Sequence, residues 1–213
     1  MKSKFTLLAI ALLSVCAFAA TTWKASEETP VAAGSTLIDD ELVTAKTVYE
    51  TTLKSAVKTI AGEEFTHYIQ VRNAANPSAD APDGTEQSGS TSIVLEVKKD
   101  VSLKIYYRRQ CKSGESGVYE SNDGKDLKIF SRADFSVLDG TITVSEETED
   151  QAYAWVTKDY QLTGGETYVI SARGTTINYY GMTFEALEVP VTPIVLDLAT
   201  GTDITTALNE VVE

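Results

Sequence analysis

The chain has 213 residues, 43% of them hydrophobic, with 31 acidic against 18 basic side chains and two cysteines. That length gives one domain of ordinary size, or one plus a short appendage. The acidic balance excludes phosphate-backbone binding, so nucleic acid is not a partner, and the Tyr, Val, Ile and Thr spread along the chain exclude a wholly disordered polymer.

The first 20 residues read as a secretory leader. Lys2 and Lys4 form a charged start, Phe5 to Val15 an apolar run, and Ala17-Phe18-Ala19 a small-x-small cleavage site, so the signal peptide is expected at 1–19 and the protein outside the cell. The run is too short to span a bilayer, and no transmembrane segment is expected. Cys16 raises a lipoprotein reading, but Val15 stands where a small residue is wanted, which favours ordinary cleavage. Cleavage leaves 16 basic against 31 acidic residues, a balance of −15. Cys111 is then the only cysteine, so no internal disulfide can form and stability must come from the core. Cys111 itself is either an incidental thiol or an intermolecular bridge or nucleophile.

Residues 20–34 are polar and carry one proline, an extended lead-in. Leu42 to Tyr49 and Ala56 to Ile60 are short and β-branched. Phe65 to Arg72 sets Phe65, His67, Ile69 and Val71 against Thr66, Tyr68, Gln70 and Arg72, a half-buried strand. Asn73 to Ser90, rich in Pro, Gly, Asp, Asn and Ser, is a long surface loop, and loops of that length are uncommon without a use. Ile93, Leu95 and Val97 alternate again, as do Val101, Leu103, Ile105 and Tyr107, with a hairpin expected at Lys98 to Asp100. Lys112 to Lys125 is a second loop. Strands follow at Leu127 to Phe130, Gly140 to Val144, Tyr153 to Lys158, Glu166 to Arg173 and Thr176 to Glu185, with an acidic turn at Glu146 to Asp150.

About ten short strands spaced about ten residues apart predict an all-β fold, an antiparallel β-sandwich of jelly-roll or immunoglobulin-like type, over 35–189. Leu162-Thr163-Gly164-Gly165-Glu166-Thr167-Tyr168 has the layout of a tyrosine corner, in which a phenol bonds upstream backbone where the chain passes between sheets. A plain hairpin with a core tyrosine fits the same residues. Trp155 is expected between the sheets, and Trp23 at an edge. Pro190 and Pro193 mark a linker, so 190–213 is a C-terminal extension in which Thr202 to Val212 has the spacing of a short capped helix.

Phe65 to Arg72, Tyr106 to Gln110 and Leu162 to Phe184, closing in Arg173-Gly174-Thr175-Thr176-Ile177-Asn178-Tyr179-Tyr180-Gly181, resemble the β-sandwich accessory modules of secreted gut-bacterial polysaccharide-degrading proteins. Residues 201–213 resemble the opening of the β-helix that follows such modules in pectate-lyase-like proteins. The resemblance implies a noncatalytic, carbohydrate-binding-module-like or spacer role beside a C-terminal catalytic domain. It supplies no fixed ligand residues.

His67 is the one histidine. Its parity with Phe65, Ile69 and Val71 predicts that it points inward and bonds in the core, and no Gly-x-Ser-x-Gly elbow accompanies it, so nucleophilic catalysis and a zinc site are not expected. Calcium is the candidate cofactor: Asp80, Asp83 and Glu86 beside Gly84, and Asn122, Asp123 and Asp126 around Gly124, are oxygen-rich loops without EF-hand spacing. Such residues are also routine turn formers. A polysaccharide or oligosaccharide partner needs aromatic faces beside hydrogen-bonding groups. Parity puts Tyr68 and Arg72 on one side of their strand and Tyr106 and Arg108 on the polar side of theirs. If the two strands are neighbours, these four form a basic-aromatic face; otherwise they cover a sheet and pair with acids. A structural or adhesion protein of the bacterial cell surface is the alternative, and an enzyme built on paired carboxylates a third reading.

Overall fold

The computed structural model describes residues 20–110, 126–147 and 153–187. The segments expected as signal sequence, C-terminal linker and short helix, together with Cys111, Asn122 and Asp123, lie outside the described residues.

Among the described residues the alternation in the sequence becomes twelve strands in two antiparallel sheets. In chain order they are β1 (Thr21–Lys24), β2 (Thr36–Asp39), β3 (Val43–Thr47), β4 (Leu53–Ile60), β5 (Glu63–Val71), β6 (Ile93–Val97), β7 (Val101–Gln110), β8 (Leu127–Ser131), β9 (Thr141–Glu147), β10 (Tyr153–Leu162), β11 (Thr167–Ala172) and β12 (Ile177–Ala186). The larger sheet runs β4-β5-β12-β7-β10-β9, with β1 also on β12, and the smaller runs β2-β3-β6-β11-β8. The chain changes sheets at nearly every step from β5 to β12, so β5-β12-β7-β10 faces β6-β11-β8 in jelly-roll order. Among the described residues no helix is long and apolar enough to cross a membrane.

Inward residues of both sheets form one core, with Ile69, Val71, Leu103, Ile105 and Tyr107 from the larger sheet packed with Ile93, Leu95, Ile129 and Ile170 from the smaller. The chain takes this arrangement because the side-chain period of a strand is two, so one set of apolar positions can be covered by a facing sheet. Lys98 to Asp100 is not a hairpin, contrary to the expectation from sequence: β6 and β7 belong to different sheets. Val97 and Val101 both point into the core, which a paired hairpin in one sheet would not require, and the three polar residues arch over the sandwich edge. Gly164 lies against that arch, where an added Cβ would sit 2.8 Å from the Lys99 backbone.

The tyrosine corner is present. β10 and β11 belong to different sheets, and the Thr163 backbone N–H donates to the Tyr168 hydroxyl at 3.1 Å. The long 73–90 loop also has a place. The Ser92 hydroxyl donates to the Asp83 carbonyl, Ser171 to Asn73 Oδ1, and Tyr49 to the Gly84 carbonyl, each at 2.7–2.8 Å. Ser92 and Ser171 have the outward parity of the smaller sheet, so the loop lies on that face, where Val94, Val169 and Phe130 are also buried.

The larger sheet curls. β12 pairs with β5 through Ile177, Asn178 and Tyr179, then with β1 from Gly181 to Phe184. Between them a β-bulge at Tyr180 shifts the register against β7. Released from β12, the rest of β5 and its partner β4 swing over the outer face of the sheet until they meet β9 and β10. Lys58 Nζ lies 2.6 Å from Glu146, and the Ala61 N–H donates to Ser145 Oγ at 2.7 Å. The curl encloses a second, aromatic core of Ile60, Phe65, Tyr106 and Tyr180, with Ala56, Tyr68 and Trp155 packed against it.

Candidate functional site

The curl turns the outer face of the larger sheet into a concave one. Register aligns Gln70 of β5 with Asn178 of β12, Asn178 with Arg108 of β7, and Arg108 with Trp155 of β10. These four form a single row across four strands, which at the usual strand spacing spans about 14 Å. Ile177 and Tyr179 beside Asn178 point into the main core, so the Asn178 amide points out into the concavity. It is 5% exposed and has no side-chain hydrogen bond among the described residues. Its amide atoms are not among the buried side-chain atoms left without a partner, so they still reach solvent and are open to a ligand.

Aromatic rings border the row. Phe65 and Tyr106 stack at 5.1 Å and Tyr68 and Tyr180 at 5.3 Å, both tilted. The Trp155 indole N–H donates to the Tyr180 hydroxyl at 3.3 Å, and Lys58 Nζ sits 3.8 Å from the Trp155 ring centre. The Arg108 guanidinium carbon lies 4.3 Å above the Tyr153 ring, a stacking that holds the guanidinium in place without using its N–H donors.

The four residues singled out from sequence fall on this one face, but not as neighbours. β12 lies between β5 and β7 and contributes Asn178 and Tyr180. Tyr106 is 6% exposed, spent in the aromatic core. Tyr68, Arg72 and Arg108 are half-buried at its margin, and Arg72 Nε is buried without a partner. Sequence reasoning missed Gln70 and Asn178, although the alternation of Ile177 and Tyr179 against Asn178 carried the signal.

Two other expectations change. His67 is half-buried and bonds its neighbour, with Nδ1 2.9 Å from Thr66 Oγ1, because β5 has already left the sandwich at that point and its inward side no longer faces the main core. Trp155 is on the concave face and not between the sheets. Ala154 and Val156 take the inward positions, where narrow side chains fit the intersheet gap. Trp23 is on β1, in the stretch read as a lead-in, and stacks on Tyr179 at 6.1 Å.

Of the calcium candidates, Asp80, Asp83, Glu86 and Asp126 are among the described residues. Asp80 and Glu86 are exposed, and Asp83 faces Arg132 at 3.4 Å. Asp126 is buried, accepts from Tyr107 at 2.9 Å and from its neighbour's N–H at 2.8 Å, and has Arg109 at 3.4 Å and Lys158 at 3.9 Å. Burial pushes the Tyr107 phenol well up and the Lys158 ammonium down, the latter opposed by the Asp126 charge. Among the described residues no three His, Cys, Asp or Glu side chains gather as a metal site. A cleft of about 290 Å³ lies by Tyr49 and Asp80 to Thr85, and another of about 270 Å³ by Leu138, Asp139 and Tyr160.

No family model and no curated protein sequence matches the chain. Among solved structures it is distantly similar to part of the catalytic unit of a thermostable GH87 alpha-1,3-glucanase from Streptomyces thermodiastaticus strain HF3-3, a polysaccharide-degrading enzyme. The identity is 13% and the TM-score 0.30, over 72% of this chain and 28% of that one. The match is to a part of that protein only, and it brings no residue role to this chain.

Proposed function

We propose that the chain is a secreted, noncatalytic β-sandwich module that binds saccharide on the concave face of its larger sheet and positions a neighbouring polysaccharide-degrading domain. The observation that carries this reading is the row Gln70, Asn178, Arg108 and Trp155, with the Asn178 amide, which bonds no other described residue, at its floor. Sugar hydroxyls both donate and accept, and an amide offers both, whereas a guanidinium only donates. Sugar C–H faces in turn pack on aromatic rings, which Tyr68, Tyr153 and Trp155 supply at the rim. The row contains no carboxylate, and acid–base cleavage of a glycosidic bond needs two. Export rests on the N-terminal pattern of charge, apolar run and small-x-small site.

The test is calorimetry of the chain against a panel of plant, mucin and host polysaccharides, with Asn178→Ala as the site variant. Binding to at least one member, weakened about tenfold or more in the variant, is the expected result, given the worth of a buried hydrogen bond plus the group it leaves unpaired. No binding to any member leaves only a spacer role.

A further inference from the structure

Every described Lys and Arg has a carboxylate oxygen within 4.0 Å except Lys54, Arg72, Arg108, Lys128 and Arg173. In a chain with 31 acidic and 18 basic residues, a cation without a partner runs against the composition. Three of the five share one face. Lys54 pairs across from Tyr68, Arg108 stands in the row with Asn178, and Arg72 follows the inward Val71 and therefore points outward.

Two of the other three described arginines have an acid beside them. Arg109 is beside Asp126 and Arg132 beside Asp83. Arg108 is instead held on the Tyr153 ring, and Arg72 keeps a buried Nε with no acceptor. A planar guanidinium with free donors is matched by a carboxylate or sulfate, which accepts two parallel hydrogen bonds. An acidic ligand must also overcome repulsion from the net negative charge of the chain, and a face that gathers three of the five unpaired described cations favours it.

We propose that the saccharide this face takes is acidic, its carboxylate or sulfate group bound by Arg108 and Arg72 while the sugar ring meets Gln70 and Asn178. This rests on the saccharide reading above and specifies its ligand class.

Calorimetry of the chain at low and high salt tests it with three probes: oligogalacturonate, its carboxyl-reduced neutral counterpart, and a sulfated galactan oligosaccharide without carboxylates. The expected result is that one or both acidic probes bind about tenfold or more tighter than the neutral one, the range set by hydrogen bonds to charged groups. Which acidic probe binds identifies the anion. The advantage shrinks as salt rises. It is lost in Arg108→Gln and reduced in Arg72→Gln, two variants that guard against misfolding of either, and it survives in Lys128→Gln, which deletes an equally unpaired charge from the smaller sheet. Equal affinity for acidic and neutral probes overturns the acidic class and leaves the saccharide reading standing, as does a loss in Lys128→Gln equal to that in Arg108→Gln. No binding of any probe, the neutral one included, overturns the acidic class, and the saccharide reading is then decided by the wider polysaccharide panel.

Discussion

Replacing Gly181 by alanine tests whether the fork in β12 builds the concave face. An added Cβ would lie 2.6 Å from the Trp23 carbonyl oxygen of β1 and 2.8 Å from the Phe65 ring of β5. The two atoms belong to the two strands that share this side of β12, so neither relief is free. Moving β1 breaks its pairing from Thr21 to Lys24, and moving Phe65 opens the aromatic core against Tyr106 and Tyr180. Overpacking costs about 1–3 kcal/mol, and exposing a buried phenylalanine about 1.5–3 kcal/mol. Because one relief replaces the other, the expected loss is about 2–3 kcal/mol. For a chain of this size that lowers the melting temperature by about 5–10 °C. Gly165→Ala is the control: Gly165 has φ +82° and nothing within 4 Å of an added Cβ, so it pays only left-handed strain, about 1 kcal/mol. Urea unfolding followed by tryptophan fluorescence reads both, since Trp155 packs against the aromatic core. The role of the fork is refuted if Gly181→Ala costs no more than Gly165→Ala. It is also refuted if Phe65→Ala in the Gly181→Ala background costs as much as in the wild type, since the two would then not be coupled.

Tyr168→Phe removes the hydroxyl that accepts from Thr163 N–H and should cost about 1 kcal/mol with the fold retained, measured by denaturant midpoint. Asp126→Asn strips the counter-charge from Lys158, whose side chain is 11% exposed. It should destabilise by about 3 kcal/mol, read as a shift in the denaturant midpoint. Asp40 accepts from the N–H groups of Leu42 and Val43 and from the Thr21 hydroxyl, and despite partial burial its carboxyl titrates below the usual range. A folded-state value below the unfolded one means stability that is fully present above about pH 4 and is lost as pH falls through the folded value. Stability measured between pH 5 and 2 should fall, and Asp40→Asn should lower the plateau while flattening that fall.

The strands and the tyrosine corner were legible because their signals are local. A period of two needs only neighbouring residues, and the bond from Thr163 to Tyr168 spans five positions. β1 and β2 were not predicted, because four-residue edge strands carry too few alternations. The site was legible in part: parity put Tyr68, Arg72, Tyr106 and Arg108 on polar sides, but could not show that β12 would separate them or that Tyr106 would be consumed in a core.

What the sequence by itself determined is therefore the class: short amphipathic strands, an acidic surface with few cations, and the side of each strand on which those cations stand. The tertiary structure alone decided which strands are neighbours, that Lys98 to Asp100 crosses between sheets, and that β12 exchanges β5 for β1 at Gly181. Those choices join residues far apart in the chain, such as Trp23 with Met182 and Gln70 with Asn178, and they are settled by how the whole sandwich fills its volume. The same physics sorted the charges. Proximity in the fold, which no local pattern encodes, gave Arg109 and Arg132 their acids and left Arg72 and Arg108 without one.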